Sequence, residues 1–272
     1  MRGRSRLRVA GAATSANMNN DSYERRRKGI YLLPNLFTTG TLFAGFYAMM
    51  AANEGKFEIA AIACFLGMLA DALDGRVARL TNTQSDFGGE YDSLADMVTF
   101  GVVPAFVMYT FSLHELAELG RFGKQLAWAG AFFYMAMTAL RLARFNLHNT
   151  EDMDKRYFQG LPSPSAAAIT MGFVWVADDF GLDESLLVWP SLIVTIAAGA
   201  LMVSNVRYSS FKEINFSEHV PFTYMLVMVL GFMLVWLDPP RVLFLLFLTY
   251  VCSGPVLAVR REFRRRRGIE SA

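Results

Sequence analysis

Eight apolar stretches constrain this chain more than anything else in it: residues 31–52, 57–74, 92–113, 125–147, 163–182, 186–206, 219–237 and 240–258. A bilayer core about 30 Å thick takes about 20 apolar residues per helix. Inside that layer no water pairs with the backbone, so such stretches satisfy their N–H and C=O groups as helices. The expected fold class is therefore all-α, a polytopic transmembrane helical bundle of about eight spans. The 272 residues are 54% hydrophobic and 18% charged, whereas a soluble domain of this length carries more charge and breaks its apolar runs sooner.

The formal charge of +2 conceals an uneven distribution. Arg2, Arg4, Arg6, Arg8 and residues 25–28 crowd one end, and Arg260, Arg261 and residues 264–267 the other. Beside hydrophobic spans, such clusters mark the cytoplasmic side and touch anionic lipid, so no nucleic-acid partner is expected. With eight spans the termini share a side. The loops holding Arg76 and Arg79, Arg141 to Arg156, and Arg207 and Lys212 fall there too. The opposite loops are short or acidic, as at Asp178, Asp179, Asp183 and Glu184. Both termini are expected in the cytoplasm.

Residues 1–28 read as a basic, disordered cytosolic tail without the apolar core of a signal peptide, although their composition also fits a transit peptide and Met18 is a second possible start. Residues 261–272 read as a second basic tail, leaving 29–260 as one transmembrane catalytic domain with no internal repeat. Cys64 and Cys252 lie in apolar runs, and His114, His148 and His219 stand far apart, so neither a disulfide framework nor a histidine metal site is expected.

The chemistry lies between the second and third stretches. Asp71 and Asp74 are three residues apart, Asp92 and Asp96 four, so each pair projects from one face of its helix. A short polar turn between them folds the helices antiparallel and lets the pairs face one another. An ionised side chain at mid-membrane costs about 2.5–3.5 kcal/mol even on a lenient scale, a heavy burden for a purely structural role. Solvated helix ends would lower that cost. Clustered carboxylates without His or Cys suit hard cations, Mg²⁺, Mn²⁺ or Ca²⁺, and two such cations would leave positions open for a diphosphate. Gly75 and Ala78 allow a flat base or ribose close to the backbone, Arg79 offers a planar fork to phosphate, and Gly88 lets the chain re-enter the next helix closely.

These residues spell D-x-x-D-G-x-x-A-R-x8-G-x-x-x-D-x-x-x-D from Asp71 to Asp96, and on that motif the chain resembles the CDP-alcohol phosphotransferase family. The resemblance implies a six-helix core, a homodimer and a polar cavity facing the cytoplasm. It implies two divalent cations, Mg²⁺ or Mn²⁺, held by Asp71, Asp74, Asp92 and Asp96, with Asp96 also the base toward the acceptor hydroxyl. It implies CDP-lipid contacts from Asn35, Thr38, Asp74, Gly75, Ala78, Arg79 and Gly88.

Five further stretches, 31–39, 93–105, 139–146, 158–166 and 204–208, resemble the bacterial, phosphatidylserine-forming branch of that family. That likeness implies CDP-diacylglycerol and L-serine as substrates and a place in a bacterial inner membrane. Arg141 and Arg144, one turn apart, with Asn146 nearby, are the candidate acceptor-binding residues, although both arginines also fit a role as positive-inside anchors. Glycerol 3-phosphate or inositol phosphate would also want arginines. A transporter is the alternative from another class, but it would favour midplane acids on interrupted helices in two corresponding halves.

Overall fold

The computed structural model describes residues 34–81, 83, 85–148, 157–209 and 222–266, and each apolar stretch becomes a helical rod within them. Helix α1 spans residues 34–53. It is followed by α2 (Phe57–Leu80) and α3 (Asp86–Asp96), and α3 runs on through a π-helical segment, Met97–Val102, into α4 (Val103–Phe111). A 3₁₀ turn, Leu113–Leu119, leads into α5 (Gly120–His148). Then come α6 (Ser163–Asp179), α7 (Val188–Val203), α8 (Phe222–Leu237) and α9 (Pro239–Arg266).

Helix α6 is the centre of the bundle. Its buried residues include Ala166, Ala167, Ala168, Met171, Val174 and Ala177, which cover nearly every face, and α2, α4, α7 and α9 pack on it. The run of alanines explains the close approach, since in a bilayer helices gain little from apolar burial and much from tight van der Waals contact. Glycines serve the same end where α1 and α2 meet the π-helical segment. A Cβ on Gly45 would lie 2.7 Å from Thr99 Oγ1, and one on Gly67 would lie 3.1 Å from Thr99 Cγ2.

Large apolar side chains cover the outside, among them Phe43, Phe46, Leu66, Phe132, Ile193, Phe232 and Trp236. So much exposed apolar surface suits lipid rather than water. Four helical segments among the described residues are long and apolar enough to cross a membrane: Asp86–Phe111, Leu113–Asn146, Glu184–Val203 and Pro239–Arg260. Helix α8 adds a shorter apolar segment, Met225–Leu237, and packs on α9. Helix α2 meets the length but carries Glu58, Asp71, Asp74, Arg76 and Arg79, and α6 has 17 residues.

Three features go beyond the expected all-α bundle. A short two-stranded antiparallel ladder joins β1 (Tyr157–Gln159) to β2 (Arg207–Ser209) beside the helices. Gly160 closes that ladder with φ of 80° where a Cβ would lie 2.2 Å from the Met202 carbonyl oxygen, so the position admits only glycine. Helix α9 continues into the basic C-terminal stretch as far as Arg266. Finally, Arg241 lies at the acidic end of the bundle, where it pairs with Asp238 and, at 2.8 Å, with Asp179. Asp178 there accepts the Glu58 backbone N–H at 3.1 Å and caps α2. The start of α2 and the end of α6 thus share one end of the bundle, and the aspartates near the end of α2 lie toward the other. The tail expected at 1–28, and residues 267–272 of the one expected at 261–272, lie outside the described residues.

Candidate active site

Helix α2 ends at Leu80, and Thr81 Oγ1 donates to the Val77 carbonyl to finish its last turn. The chain reverses within a few residues because Ser85 starts α3 at once, its side chain accepting from Gly88 N at 3.0 Å, with Asp86 placed favourably in the first turn. That tight reversal sets the two aspartate pairs against each other. Asp71, Asp74 and Asp92 each offer one carboxylate oxygen, and the three oxygens lie within 4.8 Å of one another. Asp96 stands beside the trio, within electrostatic reach of Asp71, Asp92 and Arg141.

The donor set can hold a divalent cation. Three carboxylates this close repel one another unless a positive charge sits among them. Asp74 is 4% exposed and accepts from neutral donors, among them Thr38 Oγ1 at 2.9 Å from Oδ2. Asp92 Oδ1 and Asp96 Oδ1 are buried and without a hydrogen-bond partner among the described residues. Buried carboxylate oxygens without a donor are expensive, and coordination of a hard cation removes that cost.

The surrounding residues are brought in unevenly. Asn35 joins the site at the start of α3, its Oδ1 3.5 Å from where a Cβ on Gly88 would stand. Thr39 Oγ1, one residue after Thr38, lies 3.0 Å from Tyr91 Oη, so α1 is tied to α2 through Asp74 and to α3 through the residue before Asp92. Gly75 is exposed on α2, and no described atom lies within 4 Å of a Cβ placed there. A mid-helix glycine costs about 1 kcal/mol relative to alanine, and packing within the protein gives no reason for it here. Ala78 follows Gly75 one turn later, and Arg79 Nε donates to the Gly75 carbonyl at 2.9 Å, folding the guanidinium along the helix surface.

Of the two arginines singled out for the acceptor, Arg141 turns toward Asp96 and donates to Ser163 Oγ at 2.6 Å. Arg144 points instead to the end of α7, donating to Asn205 Oδ1 at 3.3 Å, where Gln159 Nε2 also donates at 2.9 Å. Asn146 Nδ2 reaches Ser93 Oγ at 3.1 Å, next to Asp92. Sequence reasoning assigned no role to Ser93, Tyr91, Ser163 or Asn205. Ser93, Ser163 and Asn205 lie in stretches already noted for their resemblance, which was the available signal.

A family profile for CDP-alcohol phosphatidyltransferases matches residues 31–203, well over half of the chain and the part that carries all four aspartates. The chain belongs to this family. Among curated relatives, a CDP-diacylglycerol–serine O-phosphatidyltransferase of Helicobacter pylori is 36% identical over 188 residues, covering 69% of this chain and 76% of the relative. One of Bacillus subtilis is 33% identical over 181 residues, 66% of this chain and 92% of its own length. One of Methanocaldococcus jannaschii is 35% identical over 149 residues, 55% and 63% of the two chains. Family membership and the apolar helices make the chain a multi-pass membrane transferase.

Proposed function

We propose that this chain transfers the phosphatidyl group of CDP-diacylglycerol to the hydroxyl of L-serine, giving phosphatidylserine and CMP. The observation that carries the reading is the meeting of Asp71, Asp74 and Asp92 with Asp96 and Arg141 at one end of the bundle. The relatives' shared acceptor supports serine over glycerol 3-phosphate or inositol phosphate.

Asp71, Asp74, Asp92 and Asp96 would hold two divalent cations, Mg²⁺ or Mn²⁺, which supply charge neutralisation of the diphosphate and of the departing CMP. The remaining work belongs to side chains of this chain. Asp96 takes the serine hydroxyl proton on its carboxylate. The freed oxygen bonds to the β-phosphorus as the bond to the bridging oxygen breaks, and that electron pair leaves with CMP. Open space at Gly75 and the small Ala78 admit the nucleotide to the surface of α2, and Arg79 swings from its own helix to phosphate. Asn35, Thr38 and Gly88 shape the same wall. Arg141 receives the serine carboxylate, with Asn146 and Arg144 farther out. Because the lipid tails stay in the bilayer, the reaction needs a bundle whose polar end opens at the interface.

Purified protein in micelles with CDP-diacylglycerol should release CMP only when serine is added, with phosphatidylserine appearing in equal amount. Equal CMP release with glycerol 3-phosphate or inositol phosphate in place of serine would move the chain to another branch of the family.

The same reading puts the aspartates at the cytoplasmic face of a bacterial inner membrane, with both termini cytoplasmic and the chain a homodimer. Single cysteines at Ser15 and at Gly268, in a variant lacking Cys64 and Cys252, should escape an impermeant thiol reagent in intact cells and react after lysis. Labelling of one alone would require an odd number of spans.

A further inference from the structure

Pro104 and Pro255 lie within membrane helices, and neither has an N–H to give the carbonyl four residues earlier. For Pro104 that carbonyl is Phe100, whose oxygen accepts from Tyr134 Oη at 3.1 Å. For Pro255 it is Val251 in α9, and there Tyr208 Oη is the donor, also at 3.1 Å. Tyr208 is fully buried, and a Cβ on Gly254 would lie 2.4 Å from its ring, so the ring seats directly against the backbone of α9.

Two lines of contact lead from this break to the site. Tyr250 precedes Val251, and its ring centroid is 5.5 Å from that of Tyr208. Tyr250 also lies within electrostatic reach of Arg141, which faces Asp96 and bonds Ser163. The guanidinium is thereby approached from α3, α6 and α9 together. Helix α9 lies wholly outside residues 31–203, the stretch that matches the family.

We propose that α9 completes the acceptor end of the active site, with Tyr208 holding the Val251 carbonyl at the Pro255 break and thereby positioning Tyr250 against Arg141. This rests on the reaction and acceptor proposed above. A helix broken by proline has one ladder bond fewer to fix its direction, and an unpaired carbonyl in hydrocarbon is costly, so the bond to Tyr208 selects one direction. Tyr250 presents an apolar ring to Tyr208 and keeps its hydroxyl within electrostatic reach of the guanidinium, which would bias how Arg141 meets a carboxylate. Tyr208 and Tyr250 are positioning residues, and their influence falls on acceptor binding rather than on the lipid nucleotide.

The test uses the full chain in micelles, with CMP release measured against serine and against CDP-diacylglycerol. Tyr208→Phe should raise the serine KM about fivefold while the CDP-diacylglycerol KM and kcat stay within about twofold. Tyr250→Phe, which leaves the Val251 bond intact, should show the same split. In Tyr208→Phe/Pro255→Ala the new backbone N–H serves Val251, and the serine KM should return toward that of the parent chain. Equal rises in both KM values, an unchanged serine KM in Tyr250→Phe, or no recovery in the double variant would each overturn the inference. Wild-type CMP release that ignores serine would instead overturn the proposed acceptor, and the inference with it.

Discussion

Asp96→Asn is expected to lower the turnover of serine-dependent CMP release by about 10² or more, through loss of a proton acceptor and of a cation ligand together. The substitution keeps the shape of the side chain, so the fold should persist. What changes is the chemistry at Oδ1, buried and without a hydrogen-bond partner among the described residues, and the charge facing Arg141. Binding of CDP-diacylglycerol should suffer much less, because the other three aspartates and the α2 surface around Gly75 remain. Saturation curves for both substrates, compared with the parent chain, provide the check. A turnover within tenfold of the parent would assign the proton to another group.

The second large effect is on cation removal. Treatment with EDTA should reduce CMP release to background, and added Mg²⁺ or Mn²⁺ should restore it. Asp71, Asp74 and Asp92 bring three carboxylate oxygens within 4.8 Å, an arrangement that is self-repelling without a positive charge. A readout independent of activity follows from linkage, since a ligand bound only by the folded state raises its stability. Mn²⁺ alone should therefore raise the unfolding temperature of the chelator-treated protein, and Asp92→Asn should reduce that rise sharply. Full activity in excess chelator would remove the cations from the mechanism, and an equal Mn²⁺ stabilisation of Asp92→Asn would place them elsewhere.

Much of this architecture was legible because it rests on local rules. The apolar stretches had to be helices, for lack of any other partner for their backbone. The spacings at Asp71 and Asp74 and at Asp92 and Asp96 had to place each pair on one helix face, and the short Thr81-to-Ser85 turn left little freedom in how the faces meet. The features that were missed depend on contacts distant in sequence. A ladder of three residues per strand, pairing 157–159 with 207–209, is too short to carry an alternating pattern. Arg241, at the otherwise acidic end of the bundle, is answered by Asp238 beside it and by Asp179, which lies 62 positions away in the sequence. Arg144 was placed with Arg141 by spacing alone, yet one turn of helix at a bundle edge suffices to send the two guanidinium groups to different neighbours. The helix-breaking action of Pro255 was visible in the sequence, but the tyrosine that answers it lies 47 positions upstream.

The π-helical segment after Asp96 has a mechanical meaning. One extra residue within a helix advances the phase of everything beyond it by about 100°. The half of the span before Met97 turns Asp92 and Asp96 toward α2, whereas the half beyond it buries Val103, Val107 and Phe111 in the apolar core. A single uninterrupted rod would make one compass bearing serve both purposes. The widened turn works as a crank that lets each half choose its own. Deleting one residue there would leave the span long enough to cross the bilayer and yet swing the acids off their bearing, separating insertion from catalysis within one helix.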